Sequence, residues 1–279
     1  MKKRMFKITA LVLAVLLAIG VCVFANGLFG NPLSKFLATN TAKKHIEEVY
    51  NDKDFEIERV MFSFKDGYYY ALIVSPSSID SSFSLCIDMW GGLRLDTYED
   101  LVLSGVNTAG RLDDEYRKKV DEVLDSQEFP YDAHIGFGAI EFVSRRYTAD
   151  ESILEYAIIM EDLTIDASYD VNDLGAKAGN ITMYLYDDTV SYERLSEVIL
   201  DLKRIFDEAG VKFYTFDIVL EYPKNENGSG SEGRVEVQNF IYSDIYEDGI
   251  VERVKASDEA AKAYYREQDA QKLKETTDR

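Results

Sequence analysis

Between Ile8 and Ala25 the chain passes through eighteen positions without a charged residue, and only Thr9 and Gly20 interrupt the apolar run. As a helix, such a stretch is about 27 Å long, close to the hydrocarbon thickness of a bilayer. It predicts a membrane-spanning segment, and everything that follows it is then a chain delivered across a membrane. Lys2, Lys3, Arg4 and Lys7 come before or at the edge of the run, and Lys35 is the first basic residue after it. Retention of positive charge on the cytoplasmic side puts the N-terminus inside and the bulk of the chain outside, as a single-pass protein of the cell membrane. The alternative is a cleaved signal peptide, with Val23-Phe24-Ala25 as the cleavage site and a secreted product. Lipid attachment at Cys22 is disfavoured because Val21 stands where such signals need a small residue, and Cys22 reads as an apolar filler of the helix.

Composition bounds what lies outside. The 279 residues hold 31 basic and 51 acidic side chains, a net charge of −20. All four charges in residues 1–25 are basic, so the remainder carries 27 basic against 51 acidic residues, a net −24. A field of that sign repels nucleic acid and anionic headgroups, so no nucleic-acid partner is expected. A cationic ligand or an envelope protein suits it better. Apolar residues make up 46% of the chain, which excludes wholesale disorder. Cys86 is the only thiol beyond the apolar run, so no intrachain disulfide can staple the exported part.

The exported chain divides on pattern. Asn31-Pro32 has the chemistry of a helix start, a capping Asn followed by Pro at the first helical position. Apolar residues from Leu33 to Tyr50 recur at roughly helical spacing. Phe55 and Ile57 fall on one strand phase and Val60, Phe62 and Phe64 on the other, which predicts a bulge between them. Lys65-Asp66-Gly67 predicts a hairpin turn into Tyr68–Val74. Ser75–Asp80 reads as a loop. Phe83, Leu85, Ile87 and Met89 then alternate with polar partners until Trp90-Gly91-Gly92 stops the strand. A helix capped by Asp113 or Asp114, with Tyr116, Val120, Val123 and Leu124 on one face, and a strand at His134–Val143 complete an α-β-β-β-α-β block.

After a junction at Ser144–Thr148, the pattern predicts a helix over Glu151–Met160, a short strand over Asp162–Asp166 and a helical turn from Asp170 that Gly179 closes. A strand at Ile181–Tyr186 follows, then the clearest helix of the chain, capped by Ser191 and stopped by Gly210. Strands at Val211–Tyr222 and Arg234–Tyr242 flank the loop Pro223–Gly233, giving a β-α-β-β half-unit of a split-βαβ sheet. A polar helical tail from Ile250 takes Tyr264 and Tyr265 as its last anchors. The expected architecture is α+β: a transmembrane anchor in residues 1–30 and two small α+β domains, 31–146 and 147–279. Each is an antiparallel or mixed sheet packed with helices.

Several phrases resemble a known family. Gly30-Asn-Pro-Leu-Ser-Lys-Phe-Leu-Ala38, Phe62–Tyr69 and Ser75–Asp80 are similar to the N-terminal domain of the YfjL-like proteins, membrane-anchored proteins of Firmicutes-type bacteria. Val211–Pro223 and Tyr242–Gly249 are similar to its C-terminal domain. The resemblance implies two domains and a surface location. It brings no activity, and no catalytic residue is carried over.

The chemistry-bearing residues argue in the same direction. Two His and no Gly-x-Ser-x-Gly elbow leave little for nucleophilic hydrolysis, although a Cys86–His134 pair on neighbouring strands is conceivable. One thiol and two His do not make a structural zinc site. Asp170, Asn172 and Gly175 match three positions of an EF-hand loop, but Leu174 and Ile181 stand where ligands belong. Asp187 and Asp188 read as acids placed for the N-terminus of the following helix. No catalytic residue, metal site or cofactor is expected. Aromatics remain: Tyr68, Tyr69, Tyr70, Trp90, Tyr242 and Tyr246 are the candidate interaction surface, with Tyr184 and Tyr186 beside them, weighed against simple packing of small sheets. The expected function is a membrane-tethered extracytoplasmic binding or interaction module. The opposing class is a carboxylate-dependent hydrolase acting on envelope material.

Overall fold

The structure, a computed structural model, describes residues 2–148, 155–224 and 233–277. It is mixed α and β throughout and separates into two compact units. One comprises residues 1–108 with Thr164–Asp166, the other 109–163 and 167–279.

The first unit opens with α1 (Lys2–Phe29), whose described apolar side chains from Ile8 to Phe24 are mostly more than half exposed. Among the described residues, the helical stretch that starts here is the one long and apolar enough to cross a membrane, and none of its most apolar window is buried. Gly30 ends it at φ 68°, a conformation that glycine takes without a Cβ penalty. Asn31 then caps α2 (Pro32–Val49), its side chain accepting the Ser34 N–H at 2.8 Å. Four antiparallel strands follow in spatial order: β1 (Glu56–Ser63), β2 (Tyr68–Ser75), β3 (Ser78–Ile87) and β4 (Leu93–Asp96). The β1 register shifts between Ile57 and Arg59, at the phase slip read from the sequence. The Asp-Gly turn has Gly67 at φ 77°. One face of this sheet presents Tyr69, Ala71, Ile73, Phe83, Leu85 and Ile87, packed with Ala38 and Ala42 of α2. His45 Nε2 and the Tyr50 hydroxyl both lie 2.7 Å from Asp96 Oδ2, tying α2 to β4.

The second unit contains nearly all of α3 (Val106–Leu124), then β5 (Asp132–Ile140) and a short parallel pair, β6 (Phe142–Val143) with β7 (Ile158–Ile159). After them come α4 (Val171–Ala178), β8 (Gly179–Tyr186), α5 (Tyr192–Glu208), β9 (Thr215–Glu221), β10 (Arg234–Ile241) and α6 (Ile250–Thr277). The sheet order is β10-β9-β8-β5, with β8 and β9 parallel across the α5 crossover and the other pairs antiparallel. Ser191 caps α5 by accepting the Arg194 N–H, and Asp170 caps α4. Leu195, Val198, Ile199, Leu202 and Phe206 of α5 are fully buried, facing Ile181, Met183, Leu185, Phe216, Ile218 and Leu220 of the sheet. Gly138 lets α3 approach β5, since a Cβ there would collide with Val120 Cγ2.

Several expectations are corrected. The strand near His134 does not close the first sheet. It pairs with β8, and α3 packs with it, so the units divide at Thr108 rather than at residue 146. Because β8 and β9 are direct neighbours, the unit is a plain βαβ and not a split one. Ser75–Asp80 is no loop: Ser75 and Ser78 face each other across a tight turn, and β3 has already begun. β4 carried too short a pattern to be read. The helix expected over Glu151–Met160 falls partly outside the described residues, and Ile158–Ile159 is extended. Asp162–Asp166 is not a strand. The α3 helix starts at Val106, seven residues before the expected cap, and Asp113 instead accepts the Ile140 N–H at 2.7 Å. β9 starts at Thr215, not Val211. Tyr264 and Tyr265 are 57% and 41% exposed; α6 is anchored instead by Val254, Asp258 and Ala261. The loop between β9 and β10 lies largely outside the described residues.

Candidate functional site

Helices and the βαβ crossover occupy one face of the second sheet, so alternate residues of its strands point to the other face. On β8 those are Asn180, Thr182, Tyr184 and Tyr186, all partly exposed between buried neighbours. On β9 they are Thr215, Asp217, Val219 and Glu221, and on β10 Arg234, Glu236 and Gln238. α6 runs beside the outer edge of β10 and satisfies it: Asp258 Oδ1 accepts the Glu236 N–H at 3.1 Å and Ser257 Oγ the Gln238 N–H at 3.3 Å. An edge covered in this way is closed to further strands.

A cavity of about 160 Å³ opens on that face between β8, β9, β10 and Tyr265 of α6, and Glu236 lines it. A neighbouring one of about 520 Å³ reaches Glu141, Glu155, Tyr156 and Asn180, and the two share Asp217 and Asn239. Asn239 has φ 50°, at the register shift between Val237 and Phe240, and its N–H donates to Asp217 Oδ1 at 2.5 Å. Asn tolerates this left-handed conformation better than most residues. Asp217 Oδ2 also accepts from Asn180 Nδ2 at 3.0 Å. Four acids, Glu141, Glu155, Asp217 and Glu236, line the two cavities against one base, Arg234.

Two buried carboxylates near this edge are treated differently. Asp258, 0% exposed, is satisfied by three donors: the Tyr192 hydroxyl at 3.0 Å, Lys262 Nζ at 2.6 Å and the Glu236 N–H. The bond to Asp258 holds the Lys262 ammonium above its ordinary pKa. Glu236 is 2% exposed. Its Oε2 lies 3.3 Å from Arg234 Nε, but among the described residues its Oε1 has no hydrogen-bond partner. A buried carboxylate oxygen without a donor is costly, and a fold keeps one only where something else compensates for it.

The residues singled out in the sequence are distributed otherwise. Tyr69 is 1% exposed and belongs to the first unit's core, so it is withdrawn from any surface. Tyr68 and Tyr70 point to the opposite face of β2, where Tyr70 donates to Asp66 Oδ2 at 2.7 Å and that bond holds the Asp66 carboxyl below its ordinary pKa. Trp90 is 81% exposed in the β3–β4 turn. In the second unit, Tyr242 donates to Asp207, lies 4.0 Å beneath Lys203 Nζ and walls an apolar cavity of about 520 Å³. Tyr246 is stacked 3.6 Å under the Arg253 guanidinium. Cys86 and His134 belong to different sheets, which removes the conceivable pair. Cys86 is a buried thiol whose pKa burial pushes up. His134 stacks on Tyr186 at 4.0 Å and lies 3.2 Å from Glu221. Ser191, not Asp187, caps α5; Asp187 accepts the Thr189 N–H at 2.8 Å and pairs with Arg194 at 2.9 Å. Among the described residues, no group of three or more His, Cys, Asp or Glu is arranged to hold a metal. Glu236 was hidden in the sequence, because Arg-Val-Glu-Val-Gln is the ordinary alternation of a strand with one wet face.

A family model described as the YfjL-like, N-terminal domain matches residues 4–92, and one described as the YfjL-like C-terminal domain matches residues 115–255. No curated protein matches the chain. A crystal structure of a DUF5037 family protein from Ruminococcus gnavus ATCC 29149 is similar over 80% of this chain and 99% of that one, at 13% identity and a TM-score of 0.23. The two family matches take in the apolar helix, three strands of the first sheet and all four of the second, and the chain therefore belongs to the YfjL-like family.

Proposed function

We propose that this protein is a membrane-tethered binding module, held by α1 with its two α+β units on the extracytoplasmic side, and that the polar face of the second sheet receives a cationic group. The basic residues ahead of the apolar run support the orientation. The observation that carries the ligand class is the buried Glu236, whose Oε1 lacks a donor among the described residues at the wall of an acidic cavity. An ammonium is the complement such an oxygen lacks: it brings charge and several donors, and Tyr184 and Tyr265 line the same cavity as surfaces for its alkyl stem. At about 160 Å³ the cavity accepts the end of one side chain and not a whole drug-sized ligand. A cationic segment of an envelope protein fits these limits.

Calorimetric titration of the detergent-solubilised full chain with Nα-acetyl-lysine amide tests this. Binding with a Kd of about 1 mM or tighter is expected, and none with Nα-acetyl-norleucine amide, which keeps the apolar stem and lacks the ammonium. Equal behaviour of the two probes would remove the cationic reading. The orientation is tested by adding protease to intact protoplasts: digestion of both units is expected, and protection of the C-terminal helix would reverse the topology.

A further inference from the structure

Trp90 is the chain's single tryptophan and, among the described residues, its most exposed large apolar side chain, at 81%. The turn that carries it is firmly built. Asp88 Oδ1 accepts the N–H groups of Trp90 and Gly92, both at 2.8 Å, and Arg94 pairs with Asp88 Oδ2. Gly91, at φ 86°, brings the backbone beside α2, where its carbonyl accepts Thr41 Oγ1 at 2.7 Å and a Cβ would meet Leu37 Cβ at 3.3 Å. Trp90 is therefore presented at a fixed place next to α2 and is not loose. Leu33 lies one helical turn before Leu37, on the same flank, and is 68% exposed. Phe36 is 60% exposed, and Phe29, at the end of α1, is 79% exposed. The charge here is also out of character. No acidic residue occurs before Glu47, and in a protein of net charge −20 α2 carries Lys35, Lys43 and Lys44 ahead of Glu47 and Glu48, with Lys44 3.6 Å from Glu48.

We propose that this corner of the first unit is seated on the anionic headgroup layer of the membrane that α1 enters, with Trp90, Phe29, Leu33 and Phe36 in the interfacial zone and the three lysines on phosphates. Tryptophan is the side chain best suited to that zone, with an apolar body and a polar N–H, and lysine stems lie along apolar surface while their ammonium groups reach outward. The acidic remainder is repelled by the same headgroups, so attraction at one corner and repulsion elsewhere would fix how this unit meets the lipid. This seat rests on the reading of α1 as a membrane anchor and adds a second, reversible contact to it.

Because Trp90 is the sole tryptophan, its fluorescence reports this site alone. The full chain is reconstituted into phosphatidylglycerol/phosphatidylcholine vesicles, with and without lipids brominated near the headgroup end of the acyl chain, and flotation is measured in parallel. Co-flotation with a blue-shifted emission that brominated lipid quenches by at least half is the expected result. Co-flotation with the unquenched emission of a water-exposed indole overturns the seat and leaves the anchor standing. Failure to float overturns the anchor, and the seat with it. The triple variant K35E/K43E/K44E is expected to lose at least half of the quenching at low salt, and unchanged quenching overturns the role given to the lysines.

Discussion

The hydroxyl of Tyr69 accepts the backbone N–H of Asn31 at 2.8 Å and donates to the carbonyl of the same residue at 3.1 Å. Tyr69 stands on β2 and Asn31 caps α2, so one buried side chain joins the end of the apolar helix to the first sheet. The fit is close: a Cβ at Gly30 would collide with the Tyr69 hydroxyl. Tyr69→Phe removes both bonds while keeping the ring, and is expected to destabilise the first unit by about 1–3 kcal/mol. Thermal melts of the solubilised full chain check it; an unchanged transition would mean that water replaces the hydroxyl.

Leu202 is fully buried at the middle of the α5 stripe. Leu202→Ala is expected to cost about 2–5 kcal/mol, through lost contacts and the cavity left behind. Glu197→Ala, on the outer side, is expected to cost less than about 0.5 kcal/mol. Lys203 looks like an outer residue from helical spacing, but its ammonium donates to the Ile245 carbonyl at 2.8 Å and covers the Tyr242 ring. Lys203→Ala is therefore expected to cost about 1–2 kcal/mol. Equal melting points for the Leu202 and Glu197 variants would contradict the assignment of the α5 face.

The turn carrying Trp90 depends on an ionised Asp88. The Gly92 N–H, above all, holds that carboxyl below its ordinary value of 3.8, against the opposing effect of burial, and the Trp90 N–H and Arg94 add to it. A carboxyl lowered on folding stabilises above its unfolded pKa, and the contribution is lost as pH falls through the lowered value. Trp90 emission and anisotropy are expected to stay constant from neutral pH down to about pH 5 and to change only below the ordinary carboxylate range. Asp88→Asn should show the acid form of the signal already at pH 7, and a wild-type signal in that variant would contradict the assignment.

Long periodic elements were legible in the sequence because their chemistry is local. Asn31, Asp170 and Ser191 cap helices by hydrogen bonds to residues two or three positions on, and the β1 slip shows within a few residues. Sheet membership was not legible. β5 is an edge strand whose apolar pattern fits either sheet, and pairing with β8 is decided by contacts about fifty residues away in sequence. The partners of Lys203 and Tyr69 lie 42 and 38 residues distant, out of reach of helix or strand spacing. The polar face of the second sheet was legible only in Tyr184 and Tyr186. A buried Glu236 whose Oε1 has no donor among the described residues and a solvated glutamate leave the same mark in a strand's alternation.

The most direct measurement takes Glu236→Gln through two readouts at once, thermal stability and titration with Nα-acetyl-lysine amide, in the solubilised full chain. If Glu236 is kept for a ligand, replacing its carboxylate by a neutral amide removes the cost of burying a charge and removes the ammonium's partner. The expected result is a Tm raised by at least about 2 °C together with an affinity lowered tenfold or more. Arg234→Gln, which removes the competing cation 3.3 Å away, is expected to tighten binding of the same probe. A fall in Tm for Glu236→Gln with unchanged affinity would make Glu236 a structural ion-pair residue and contradict the assignment of this face.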